Sequence, residues 1–183
     1  MLDDYQMPLF SRSLLYEELE RRLKDVGARL GTGWQHYVDL SDLAIVRKQF
    51  SLAEIYPLEL LFDQLVIEEK LDGLDRDTRE QVFRYDCYIP YLGDDDLWLL
   101  DPGGIDNHPE GETFRRNLLI VDRYTNRDEA AVAIKETLSK IGGFIEAQTL
   151  QIYSFHAALP QRVHALVQAA RGGQLVRMNE RTH

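Results

Sequence analysis

The feature that most constrains the fold is an alternation of apolar runs and glycine pairs in the second half of the chain. The run NLLIVDRY at 117–124 is compact and apolar, which is typical of a buried strand. Asn126 is placed to cap a following helix, and the glycine pair at 142–143 is a typical end for that helix. The segment FIEAQTLQIYSF at 144–155 then has the alternation of a second strand.

The same alternation continues toward the C-terminus. Pro160 suits the first turn of another helix, the glycine pair at 172–173 ends it, and QLVRM at 174–178 predicts a third strand. Residues 117–179 therefore predict a β-α-β-α-β unit, whose right-handed crossovers favour parallel pairing. A hairpin inside 144–155 would give a ferredoxin-like arrangement instead, and the sequence leaves both open.

The first half of the chain has helical periodicity. Residues 12–30 place apolar side chains three or four positions apart, with charged residues between them, and predict an amphipathic helix. Ser41 is placed to cap a short helix that runs through Phe50. Two further helices are predicted at 57–71 and 76–85. The buried face of the helix at 57–71 would be formed by Leu58, Leu61, Phe62, Leu65 and Val66.

These patterns predict an α+β protein. A mainly helical first half would be followed by the β-α-β-α-β unit at 117–179, and the two would pack as a single compact domain over residues 1–183. Within it, a helical subregion would cover 11–90 and a sheet-containing subregion 91–180. A chain of 183 residues is long enough for one sizeable core, and no Ser/Pro linker or internal repeat divides it.

Cysteine usage and hydropathy favour a protein of a reducing compartment. The single cysteine, Cys87, cannot form an internal disulfide, and the neighbouring Asp86 disfavours a thiolate, so a buried structural thiol is expected. The longest apolar runs are too short to cross a bilayer, and the N-terminus lacks the pattern of a secretory signal. We therefore predict a cytoplasmic protein with no membrane partner.

The net charge of −10 is unevenly distributed along the chain. Residues 1–112 hold 11 Lys/Arg and 25 Asp/Glu, whereas residues 113–183 hold 10 and 6, so the two parts carry −14 and +4. An acidic portion of this size repels nucleic acid phosphates and favours steered association with a basic protein. We predict no nucleic acid partner.

The chain lacks the short motifs that mark common catalytic sites. It contains no GxGxxG, no GxxxxGK[ST], no HExxH and no GxSxG. No cofactor is therefore predicted, and the sequence supports a binding protein better than an enzyme.

The most acidic stretch runs from Tyr91 to Phe114 and holds seven Asp or Glu residues. Its spacing breaks the pattern of an EF-hand calcium loop. We predict a docking surface, with a tryptophan as anchor and carboxylates as a steering rim. The predicted partner-binding residues are Asp94, Asp95, Asp96, Trp98, Asp101, Asp106, Glu110 and Glu112. An alternative is a metal site formed by Asp94, Asp96 and His108.

Two other interpretations stay open. Ligands of parallel sheets bind at the carboxyl ends of the strands. Asp122 and His156 would lie there and could act together as a small hydrolase or ligand-binding site. A structural subunit of a larger assembly, or a homo-oligomer joined by its acidic and basic parts, is a third possibility.

The leading functional hypothesis is an acidic protein-binding module that inhibits or regulates a basic partner protein. A bacterial immunity-type inhibitor would fit the size, the acidity and the missing catalytic motifs. The stretch from 91 to 114 would be its binding surface.

Overall fold

The computed structural model describes residues 7–180, and side chains for residues 8–173. It has an α+β fold, as predicted, with three α-helices and eight strands in the described part of the chain. The helices are α1 (Leu15–Thr32), α2 (Asp42–Ala53) and α3 (Arg127–Glu180). The strands are β1 (Met7–Pro8), β2 (Ser13–Leu14), β3 (Glu59–Leu60), β4 (Val66–Leu74), β5 (Gln81–Leu92), β6 (Leu100–Asp101), β7 (Glu110–Phe114) and β8 (Asn117–Tyr124).

The chain forms two compact units. The first comprises the described residues up to Leu14 together with Tyr56–Thr149, and the second comprises Leu15–Ile55 and the described residues from Leu150 onward. Within residues 7–180, no helix combines the length and the apolar character needed to cross a membrane. The prediction of a single domain over 1–183 stays a prediction.

The first unit is built on an antiparallel sheet in the order β1-β7-β8-β5-β3, with β4 also paired to β5. The central strand β5 pairs with β8 from Phe83↔Tyr124 to Pro90↔Asn117. A separate two-residue parallel pair joins β2 and β6. The sheet is therefore not the parallel β-α-β-α-β arrangement that the sequence suggested.

Strand β5 has an alternation of buried and more exposed side chains. Tyr85, Cys87, Ile89 and Tyr91 are all buried and occupy every second position, which is the period of a strand with one face on a core. The predicted helices at 57–71 and 76–85 are wrong, because these residues form β3, β4 and the start of β5. The boundary between helical 11–90 and sheet-containing 91–180 fails for the same reason.

Helices α1 and α2 of the second unit confirm their predictions. The predicted apolar stripe of α1 is buried at Leu15, Leu19, Leu23, Val26 and Leu30. Ser41 caps α2, its hydroxyl accepting a hydrogen bond from the Ala44 backbone N–H.

The long helix α3 is the largest correction. Strand β8 and the Asn126 cap lie where predicted, with the Asn126 side chain accepting from the Asp128 N–H. The helix does not end at the glycine pair 142–143, however, and the predicted strands at 144–155 and 174–178 are helical. A continuous stripe of buried residues at helical spacing overrides the weak helix propensity of the glycines. The stripe consists of Ala130, Ile134, Ile141, Phe144, Gln148, Ile152, Phe155, Leu159, Val163 and Val167.

Candidate functional site

The acidic stretch around Trp98 is anchored in the core of the first unit. Residues Asp95–Leu99 form a 3-10 turn, in which Leu97 and Trp98 are fully enclosed. The Trp98 ring packs 5.4 Å from Phe10 and 5.1 Å from Tyr91, measured between ring centroids. Trp98 is only 1 % exposed, so its ring packs in the core of the first unit, and its predicted role as the anchor of a docking surface stays a prediction.

Several carboxylates of this stretch are used to fix the chain itself. Asp94 pairs with Tyr56, since its Oδ2 accepts from the Tyr56 N–H and its own N–H donates to the Tyr56 carbonyl. Asp95 accepts from the Tyr91 hydroxyl at 3.1 Å and forms an ion pair with Arg116 at 2.9 Å. These two acids therefore hold the turn in place as well as contributing charge.

The remaining predicted docking residues have different surroundings. Asp101 accepts from the Gly103 N–H at 2.7 Å, and its other oxygen lies 3.9 Å from His108 Nε2. Four acids are exposed to solvent, namely Asp96, Asp106, Glu110 and Glu112. Their predicted part in binding a partner stays a prediction.

The alternative metal site does not assemble in the structure. In the part of the chain with described side chains, no group of three or more His, Cys, Asp or Glu residues could hold a metal ion. Asp94 is bound to Tyr56 and His108 faces Asp101, so Asp94, Asp96 and His108 do not converge.

The predicted pairing of Asp122 with His156 loses its rationale. Asp122 lies on β8 of the first unit, whereas His156 lies on α3 in the second unit, where its Nε2 accepts from the Ile55 N–H. The two were expected together at the carboxyl ends of parallel strands, and segment 144–155, which was to supply the second strand, is helical.

The most exposed regular element of the first unit is β4, which the sequence prediction missed. All nine of its residues are exposed, and among the described residues β5 is its only strand neighbour. We call Val66–Leu74 the β4 edge. Two features of the sequence could have predicted this strand. One is the β-branched pair Val66-Ile67, and the other is the alternation of apolar and polar residues in the following segment, which forms β5.

A buried charge joins the β4 edge to the centre of the sheet. Asp86 on β5 is 2 % exposed and accepts from Lys70 Nζ at 2.8 Å and from Arg84 Nε at 2.6 Å. Burial raises the pKa of Asp86, but the two hydrogen bonds outweigh it and leave the pKa below its ordinary value. Lys70 also pairs with Glu68 at 2.7 Å, so its positive charge is neutralised within the sheet.

Two cavities of the first unit lie near predicted site residues. An open, mainly apolar groove of about 510 Å³ is bordered by Tyr56, Leu92, Asp94 and Arg116. A smaller cavity of about 280 Å³ is lined by polar groups of the segment 107–110, of β8 and of α3.

Comparisons with known proteins add no relative. No family model matches the chain, and no curated protein or solved structure matches it significantly.

Proposed function

We propose that this chain is a protein-binding module that takes up an extended, basic segment of a partner protein along the β4 edge. The observation that carries the proposal is that every residue of this nine-residue strand is exposed, while β5 is its only strand neighbour in the described part of the chain. A free strand edge presents unpaired backbone N–H and C=O groups, which an incoming strand can satisfy.

The side chains of the β4 edge support pairing with another chain. Val66, Ile67, Leu71 and Leu74 are 53, 47, 63 and 60 % exposed. A single exposed apolar side chain is ordinary, but this strand carries four of them beside the charged residues Glu68, Glu69, Lys70 and Asp72. A register shift between Leu71 and Gly73 interrupts the strand, so the stretch available for regular pairing is Val66–Leu71.

The charge of this region favours a basic partner. Residues 66–77 hold five acids and two bases. Glu68, Glu69 and Asp72 are partly offset by ion pairs with Lys70, Arg127 and Arg123, and Asp75 and Asp77 add further negative charge. The exposed acids of the 91–114 stretch add to the same negative field, which speeds association with a positive segment. A regulatory or inhibitory role of the immunity type and a cytoplasmic location are further parts of this proposal, supported by the acidity and by the single reduced cysteine.

The proposal can be tested with synthetic peptides before any natural partner is known. A labelled peptide that alternates Lys or Arg with Val or Ile is titrated with the protein, and fluorescence anisotropy reports binding. We expect the basic peptide to bind, with an affinity that falls as salt is added. A version with Glu in place of the basic residues, and a version interrupted by Pro, should both bind much more weakly.

A matched pair of variants locates the binding site. Leu71→Lys places a positive charge on the β4 edge, and Leu150→Lys makes the same change at a residue of α3 that is equally exposed, 63 % against 64 %. We expect Leu71→Lys to lower the affinity for the basic peptide about tenfold or more, and Leu150→Lys to leave this affinity unchanged. Equal effects of the two variants, or no binding to the wild-type protein, would refute the proposal.

A further inference from the structure

A small polar cavity of the first unit shares no lining residue with the β4 edge. Its volume is about 280 Å³, just below the usual range for small-molecule sites, so it suits a ligand of a few heavy atoms. The polar residues that line it are Asn107, His108, Glu110, Asp122, Thr137 and Lys140.

The acceptor side of the cavity is fixed in position. Asp122 Oδ2 accepts from the Tyr124 hydroxyl at 2.7 Å and Oδ1 accepts from the Arg123 N–H at 2.9 Å. Burial and the bond to Asp122 raise the pKa of Tyr124 to about 12, so Tyr124 remains a donor at neutral pH. A carboxylate has more acceptor sites than these two bonds use, and Asp122 can therefore still bind a cation.

Helix α3 supplies the donor groups of the cavity, and a histidine lies beside them. Thr137 and Lys140 are one helical turn apart, so both reach the same cavity. The His108 ring packs against Phe144 at 5.3 Å between centroids, and its Nδ1 is shielded from solvent without a hydrogen-bond partner among the described residues. An enclosed nitrogen of this kind is costly unless a ligand or water satisfies it.

The charges lining the cavity stay apart from one another. Lys140 lies in the same cavity as Asp122 and Glu110, yet within the described residues no ion pair joins it to either of them. A simple anion would be repelled by the two carboxylates, and a simple cation by the lysine. A ligand that carries both charges would satisfy each side.

We propose that this cavity binds a free α-amino acid. The ligand ammonium would donate to Asp122 and Glu110, and the ligand carboxylate would accept from Lys140 and Thr137. Charge-assisted hydrogen bonds of this kind are the strong polar contacts of small-ligand sites.

The test uses the full chain and isothermal titration with the standard amino acids, each up to about 10 mM. Acetate and methylamine are titrated separately to represent the two ends of the ligand. We expect at least one amino acid to bind, and both half-ligands to bind far more weakly. Failure of every amino acid to bind would overturn the proposal. Acetate binding as tight as the amino acid would also overturn it, since the site would then be an anion site.

Variants connect the binding to the cavity. Lys140→Gln and Asp122→Asn should each lower the affinity for the amino acid about tenfold or more, because each removes one charged partner of the ligand. Lys135→Gln changes an exposed lysine of the same helix that does not line the cavity, and should have no effect. If Asp122→Asn fails to fold, Lys140→Gln decides the matter alone, since Lys140 is exposed. Unchanged binding in Lys140→Gln refutes the assignment.

Discussion

Lys70 Nζ donates to Asp86 Oδ2 at 2.8 Å, so that an exposed lysine of the edge strand holds a carboxylate that is itself almost fully enclosed. Arg84 Nε donates to the other oxygen at 2.6 Å. The side chains of Arg84 and Lys70 are 27 and 52 % exposed, so both cations can be hydrated if the carboxylate is lost, whereas the carboxylate cannot be hydrated if they are lost.

Removing the better shielded partner of Asp86 should cost more stability. Arg84→Met keeps the aliphatic length but deletes a charged hydrogen bond to a buried group, and should lower the free energy of unfolding by about 1–3 kcal/mol. Lys70→Met should cost less, because the lysine is more exposed and its attraction is screened by water. Urea denaturation at pH 7 measures both. A larger loss in Lys70→Met than in Arg84→Met would contradict this ordering.

Acid should remove the contribution of Asp86 to stability. Its folded-state pKa lies below the ordinary value of 3.8, despite the opposing effect of burial, because Lys70 and Arg84 bind the charged form. The unfolded chain therefore takes up this proton first, so the contribution is present above about pH 4 and is lost as pH falls through the folded pKa.

Asp86→Asn isolates that effect from the other carboxylates. The gap in unfolding free energy between wild type and Asp86→Asn should be largest near neutral pH and should narrow below about pH 4. Other acids with lowered pKa values, such as Glu18 and Glu20, are common to both proteins and cancel in the difference. A gap that stays constant from neutral to acid pH would show that folding leaves the pKa of Asp86 unchanged, and would contradict the lowered value.

Gly93 should be the least replaceable glycine of the acidic stretch. Its φ is +103°, and an added Cβ would overlap the Pro57 carbonyl oxygen, so the backbone would have to move. Gly104 also has a positive φ, +74°, but open space around it, so Gly104→Ala reports strain alone. We expect losses of about 1–2 kcal/mol for Gly104→Ala and about 3 kcal/mol or more for Gly93→Ala. Equal losses in thermal or urea unfolding would contradict the close approach to Pro57.

Gly142→Ala distinguishes a continuous α3 from a helix that ends there. In the structure Gly142 is inside the helix with no atom within 4 Å of an added Cβ. Alanine should therefore stabilise the protein by about 0.5–1 kcal/mol. If the glycine pair ended the helix in a left-handed conformation, the same change would destabilise the protein by strain. The sign of the shift in the urea midpoint decides between the two.

Patterns within a short stretch of sequence predict three of the observed features. Helix α1, the Ser41 cap of α2 and the strand β8 follow from periodicity and capping. The glycine pairs predict breaks in α3, but burial of the stripe that includes Phe144 and Ile152 outweighs the weak helix propensity of two glycines.

Long-range pairing was the part that the sequence did not reveal. The apolar residues of 57–71 also fit a helical spacing, and only pairing with β5 selects a strand for Val66–Leu71. The sequence also predicts the acidic stretch as a distinct surface. It does not predict that Trp98 packs against Phe10 and Tyr91, because Phe10 is distant from Trp98 in sequence. The cavity at Asp122 and Lys140 joins residues of β8 and α3 that are distant in sequence.

Cys87 gives this protein a natural reporter of its opening motions. It is the only cysteine in the chain, it is 0 % exposed on the central strand, and burial raises the pKa of its thiol to about 11. Thiolate-specific reagents can therefore react with Cys87 only after β5 has separated from the neighbouring strands. The labelling rate of the unmodified protein consequently measures how often the centre of the sheet comes apart, without any engineered probe.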